Sequence, residues 1–275
     1  MSDTPTRKRA VAARRRADGA LAPRGIELWC TFLEDIRDPN LWARYRALLT
    51  PAELTRQERL RFEKDRLRDL ATRALVRTVL SRYAPVAPEE WRFAAGPHGR
   101  PRIAGASPPP LEFNVSHAHE LVVVAVAARR LIGVDIEDLE RRANTAHLDR
   151  YFAPGESAAL RALPEGEQRR RFFELWTLKE AYLKATGVGL TQPLDSIVFE
   201  LPGRTGLRLS SESAADAGDW LFAQFPLRER YLAAVCVQRR GAAPVALRVR
   251  EAVPLEWERL IEVTVTRGSV RRARS

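Results

Sequence analysis

Apolar residues recur along this chain with two different periods, and each change of period marks a new element. Residues 26–33, Ile-Glu-Leu-Trp-Cys-Thr-Phe-Leu, read as a first strand. Thr50-Pro51-Ala52-Glu53 is a helix start, with a capping hydroxyl, a proline at the first helical position and a glutamate at the third. Helical character continues, with a break, to Tyr83: Leu67, Leu70, Ala71, Ala74, Leu75 and Thr78 share one face and arginines occupy the other. Pro85 and Pro88 end it, and residues 96–101 and 107–110 read as loops. Strands are predicted over 111–115, 120–128 and 131–137, and short helices over 147–153 and 155–163. A strong helix begins near Glu165 and runs to Thr186, where Gly187 and Gly189 stop it. Strand-like stretches follow at 197–201, 207–210, 220–224 and 231–238, and residues 241–266 have weaker strand character.

The two halves echo each other. Each has a long helix followed by paired strands, and Leu121-Val-Val-Val-Ala-Val resembles Leu232-Ala-Ala-Val-Cys-Val. An internal duplication with its boundary near 129–133 accounts for this. The expected organisation is a basic tail over 1–24, a first half over 25–130, a second over 131–240, and an extension with a basic end over 241–275.

Charge changes the picture less than its total suggests. The net charge is +11, but residues 1–24 carry seven basic and two acidic side chains, and residues 267–275 carry four basic and none acidic. Nine of the eleven charges therefore belong to the two ends. The near-neutral middle argues against nucleic acid as the main partner, and the ends read as solvated, disordered tails. The longest apolar run, Leu121 to Ala128, is far too short to span a bilayer. No apolar signal-peptide core opens the chain, which leads us to expect a cytoplasmic protein. Cys30 and Cys236 offer neither a disulfide framework nor metal-ligand spacing. His98, His119 and His147 lack ligand spacing too and read as surface residues.

Lysine is scarce. Only four of the 46 basic residues are lysine, and two of these, Lys179 and Lys184, lie in one helix. Lysine can give up its proton and arginine cannot, so Lys184 is a candidate for proton chemistry or compact phosphate contact, or else the partner of Glu180 in a helical ion pair. On the strand at 131–137, Asp135 and Glu137 share a face. Taken in isolation two such acids read first as solvated groups of a half-exposed strand, and in the functional reading as oxygen ligands for a hard divalent cation. In the helix Trp176, Glu180 and Lys184 are spaced four apart and also share a face. Phe113-Asn114-Val115-Ser116-His117 runs from a strand into a turn. Adjacent Ser and His rarely form a catalytic dyad and no nucleophile elbow is present, so phosphate contact is the better functional reading of this segment. Lys64 and Arg100 are further candidate phosphate contacts, each also readable as a solvated charge.

Taken in order, Phe113-Asn-Val-Ser-His117, Gly133-Val-Asp-Ile-Glu137 and Trp176-Thr-Leu-Lys-Glu-Ala-Tyr-Leu-Lys184, followed by Gly187-Val-Gly-Leu190, resemble the 4′-phosphopantetheinyl transferases of the larger, monomeric, surfactin-synthetase-activator type. Gly99-Arg-Pro101 resembles that family's Gly-Lys-Pro, and Phe62-Glu-Lys-Asp65 its upstream basic segment. The resemblance covers about residues 26–240. It implies an α+β fold of two similar halves in pseudo-twofold arrangement, each a small sheet packed with helices, with coenzyme A between them. It further implies transfer of the 4′-phosphopantetheine arm of coenzyme A to a serine of an apo acyl or peptidyl carrier protein, releasing adenosine 3′,5′-bisphosphate, in fatty-acid, polyketide or nonribosomal peptide biosynthesis. Carried onto matching positions, Asp135, Glu137 and Glu180 would hold Mg²⁺, while Lys184, Ser116, His117, Lys64 and Arg100 would contact phosphates or the adenosine end. Asn114 and Val115 would line the same loop. Glu180 and Lys184 are rival candidates for removing the serine proton. Two other classes remain open on the residues alone: a Mg²⁺-dependent pyrophosphatase or phosphodiesterase, and a basic nucleic-acid-binding protein.

Overall fold

The computed structural model describes residues 21, 25–96, 99–105, 107–143, 145–189, 192–210, 217–242, 244–268 and 271–272. Expectations for residues 1–20 and 22–24, for His98 and Leu190, and for 269–270 and 273–275 fall outside them.

The N-terminal elements are β1 (Gly25–Phe32), α1 (Asn40–Arg46), α2 (Pro51–Glu58), α3 (Glu63–Tyr83), β2 (Phe93–Ala95), β3 (Pro101–Ile103), β4 (Leu111–Ala118) and β5 (Leu121–Ala128). They are followed by β6 (Ile132–Asp138), α4 (Pro154–Arg161), α5 (Glu165–Thr186), β7 (Val198–Glu200), β8 (Arg208–Ser210), β9 (Trp220–Leu227) and β10 (Tyr231–Gln238). Last come β11 (Ala246–Val253), β12 (Trp257–Ile261), β13 (Arg267–Gly268) and β14 (Arg271–Arg272). The signal at Thr50 is a capping box: its hydroxyl accepts from the Glu53 amide, and the Glu53 carboxylate accepts from the Thr50 amide at 2.9 Å. The Glu165–Thr186 helix ends where Gly187 takes φ 74° and its N–H returns to the Leu183 carbonyl, a left-handed turn that glycine adopts without penalty.

The internal echo is visible in the sheets. β1 pairs with β5 and β5 with β4, all antiparallel. β6 pairs with β10 and β10 with β9, again all antiparallel. The long helix, α3 or α5, precedes the hairpin in both halves. The mixed α+β architecture is therefore two copies of one unit. Their sheets face each other across a core that includes Ile26, Leu28, Val123, Val134, Ile136, Val235 and Val237. Outside this core, α3 packs Leu75, Val79 and Leu80 against Trp29, Val122, Val124 and Val126 of the first sheet. On the other side α5 packs Phe173, Leu178, Ala181 and Leu183 against Phe222, Leu232 and Ala234 of the second. β5 is buried on both faces, which explains its unbroken apolar run.

Residues beyond 240, expected as an extension, complete these sheets. β11 lies parallel to β1 and β12 antiparallel to β11, giving the order β12-β11-β1-β5-β4. β13 joins the edge of the second sheet beside β9. Two parts of the expected tails are thereby corrected. Leu21 is buried in the cluster with Trp29 and Leu75. Arg267 is buried too, donating to the Gly203 and Gly206 carbonyls and pairing with Glu174.

Candidate active site

The seam between the halves is made by β4 from the first and by β6 and α5 from the second. Gly133 is what lets α5 come so close. A Cβ built on it would lie 2.1 Å from the Ala181 carbonyl oxygen and 2.3 Å from the Ala185 amide, both helix backbone. With only hydrogen there, helix and strand touch, and Lys184 reaches across to β6. Its ammonium donates to Asp135 Oδ1 at 2.6 Å and to Ser116 Oγ at 3.0 Å, and Ser116 Oγ itself donates to the same carboxylate oxygen at 3.0 Å. Asn114 closes the seam one step along: its Oδ1 accepts from the Val134 amide at 3.0 Å, standing in for a strand partner.

Three acids share this field. Asp135 is 5% exposed, and its Oδ2 is buried without a hydrogen-bond partner. Burial, then repulsion from Asp135, pushes the Glu137 carboxyl up to about 7, although Arg141 at 3.2 Å and the Trp176 side chain favour its charged form. Glu180 is raised by burial and then by the same Asp135 charge. His117 is lowered, first by partial burial of its ring and then by Arg68 and Lys184. Among the described residues no three His, Cys, Asp or Glu side chains are already drawn together as a ready-made metal site. The donor set still suits a hard cation. It consists of oxygens only, one of them buried and unpartnered, on acids whose mutual repulsion a divalent ion would relieve.

Two clefts open at this cluster. One, of about 240 Å³, runs along Arg100, Asn114, Val115, Glu180 and Lys184 to Gly187. The other, of about 590 Å³, is lined by Arg68, His117, His119, Glu137, Arg141 and Arg230. Ser116 and Asp135 bond to Lys184 of the first cleft, and their strand neighbours His117 and Glu137 line the second. Most of the residues singled out from sequence thus meet at one place, and two do not behave as expected. Lys64 is exposed in the first turn of α3 and lines neither cleft. Arg100 lines the smaller cleft, but its four terminal N–H groups go to main-chain carbonyls rather than into the cavity. His119, read as a surface residue, lines the larger cleft. Sequence reasoning also assigned no role to Arg68 and Arg141. Arg141 stands four residues after Glu137, and Arg68 one helical turn after Lys64; these spacings were the available signals.

A seam that joins Lys184, Ser116 and Asp135 between the two halves, with Glu180 on one flanking cleft and Glu137 on the other, offers the groups that an enzyme acting on phosphate esters uses. The relatives agree. Residues 131–236 match the 4'-phosphopantetheinyl transferase superfamily, and residues 38–129 match its family described as 4'-phosphopantetheinyl transferase, N-terminal. A phosphopantetheinyl transferase of Thraustochytrium sp. is 32% identical over 81% of this chain and 80% of its own length. The 4'-phosphopantetheinyl transferase HetI of Nostoc sp. is 34% identical over 72% and 82%. Sfp of Bacillus subtilis, which bears the same enzyme name, is 32% identical over 58% and 69%. The chain belongs to the Sfp-like 4′-phosphopantetheinyl transferases and is an enzyme of that class.

Proposed function

We propose that the enzyme takes coenzyme A at the seam and transfers its 4′-phosphopantetheine to a serine hydroxyl of an apo acyl or peptidyl carrier protein in the cytoplasm, releasing adenosine 3′,5′-bisphosphate. The observation that carries this reading is the Lys184–Asp135–Ser116 cluster, with an unpartnered carboxylate oxygen at its centre and a cleft on either side. One cleft would take the nucleotide and the other the acceptor. Asp135, Glu137 and Glu180 would hold Mg²⁺, which when bound supplies positive charge against the pyrophosphate.

The protein groups divide the remaining work. The Lys184 ammonium has committed two N–H groups to Asp135 and Ser116, and its third is available to a phosphate oxygen. His117, held below its ordinary value, is neutral at physiological pH and can donate a hydrogen bond without adding charge. Glu180, raised by burial and by the Asp135 charge in the metal-free protein, is the group we assign to accept the serine proton, directly or through water. Asn114 and Val115 form the wall along which the substrate lies. The reaction balances. The serine oxygen bonds to the β-phosphorus, the bond from that phosphorus to the bridging oxygen breaks, and the proton passes to Glu180.

The direct test incubates the full chain with coenzyme A, Mg²⁺ and apo carriers of the fatty-acid, polyketide and peptide-synthetase kinds, and weighs the carriers. A mass gain of one phosphopantetheine on one or more is expected. Unchanged masses throughout, or bisphosphate released equally well without any carrier, would overturn the proposal.

The acids also give a test that needs no turnover. The folded value of Glu137 lies above its ordinary 4.5, at about 7, so its contribution to stability is complete below the unfolded value and is lost as pH rises through 7. The metal-free protein should therefore lose on the order of 2–3 kcal/mol across that window. Mg²⁺ should raise the Tm more at about pH 8 than at about pH 5, because it binds the ionised acids. A Tm gain independent of pH, or none at all, would speak against these three acids as its ligands.

A further inference from the structure

Arg100 stands at a crossing of three elements. It follows Gly99, which takes φ 79°, and its own carbonyl is held by the Gly96 amide at 2.7 Å. From this loop of the first half, Nη1 donates to the carbonyls of Lys184 at 2.8 Å and Ala185 at 3.1 Å, in the last turn of α5. Nη2 donates to Ile132 on β6 at 3.0 Å and to Phe113 on β4 at 3.4 Å. Those two helix carbonyls lie in the last turn, where the helix itself supplies no partner, and the helix dipole places negative charge there. The guanidinium side chain is 12% exposed, so water does not compete freely for these bonds.

We propose that Arg100 is a positioning residue, a latch through which the first half fixes the C-terminal end of α5, and with it Lys184 and Glu180, against β4 and β6. One of its bonds goes to the carbonyl of the same residue whose ammonium holds Asp135. A planar fork with five donors can serve four carbonyls on three elements at once. A lysine, with three donors around one nitrogen, cannot. The role follows from the phosphopantetheine-transfer reading of Lys184 and Glu180 and replaces the phosphate contact expected from the charge of Arg100.

The experiment compares Arg100→Lys with Arg100→Gln in the full chain. For a latch, both variants lose kcat about 10- to 100-fold, the scale of misplacing reacting groups by about 1 Å, and KM for coenzyme A stays within about twofold. In hydrogen exchange on the protein alone, amides of residues 184–187 exchange faster in both variants while those of residues 70–80 in α3 do not change. Three results would overturn the latch: lysine preserving kcat while glutamine raises only KM, exchange at 184–187 equal to that of the parent, or exchange accelerated equally everywhere. The exchange arm uses no carrier. It therefore reads the latch even where transfer fails for every carrier, a failure that would count against the transfer reading instead.

Discussion

Asp135→Asn is expected to reduce phosphopantetheine transfer by about 10³-fold or more while leaving the protein folded. Asparagine has nearly the same volume and keeps an oxygen at the position that accepts from Lys184 and Ser116, so the local packing survives. What disappears is the negative charge at the centre of the site and the buried oxygen that has no protein partner. The charge lost is also the one that raises both Glu137 and Glu180 after burial. Both acids should therefore titrate lower in the variant, an outcome that carboxyl-carbon NMR can follow residue by residue. Tm in the absence of metal should change little near neutral pH, because the repulsion on Glu137 and Glu180 that is removed offsets the loss of the Lys184–Asp135 ion pair. The conjunction discriminates: a variant that loses activity because it unfolds shows a lower Tm and no ordered titration. Near-normal transfer by Asp135→Asn would remove Asp135 from the centre of the mechanism.

Gly133→Ala should have the second-largest effect, and it acts through geometry alone. The added methyl would lie 2.1 Å from one helix backbone atom and 2.3 Å from another. Neither is the tip of a flexible side chain that could swing away. Either α5 moves off β6 or β6 leaves β10, and overpacking of this kind costs about 3 kcal/mol. If α5 moves, Lys184 no longer reaches Asp135 and Ser116, and a displacement of about 1 Å lowers kcat on the order of 100-fold. Chemical denaturation and steady-state kinetics should both register the change. Wild-type stability in Gly133→Ala would mean that the helix and strand do not meet as closely as described.

Much of this was legible in the residues because it is local. The capping hydroxyl of Thr50, the glycine stop at 187 and the apolar face of the Glu165–Thr186 helix each carry their instruction within a few positions. The echo between the halves was readable for the same reason, since each copy repeats one local pattern. The acids of β6 and the Glu180–Lys184 pair were legible as partners only through the order of the motifs; nothing in either segment states that Gly133 brings them into contact. The four carbonyls that Arg100 holds were not legible, because a charge in a loop looks alike whatever it faces and these acceptors come from segments as far as 85 positions away. Lys64 was grouped with the site because of the words around it, whereas its own helix points Arg68 toward the larger cleft. The strand at 246–253 looked weak because its arginines at 248 and 250 alternate with buried aliphatics, and its partner, β1, lies at the other end of the chain.

That last pairing bears on how the molecule comes into being. β1 leaves the ribosome long before β11, yet they are neighbours in register from Gly25–Ala246 to Cys30–Glu251. Until β11 arrives, one edge of β1 stays open, an unpaired template of the kind that invites wrong partners. Three strands of the second sheet, β6, β9 and β10, all precede β11, and the two-residue β13 joins its edge later. Duplication therefore did not yield two interchangeable folding units. The half made first is finished last, and a cut between residues 128 and 132 would release a first half lacking three strands of its sheet, β11, β12 and β14.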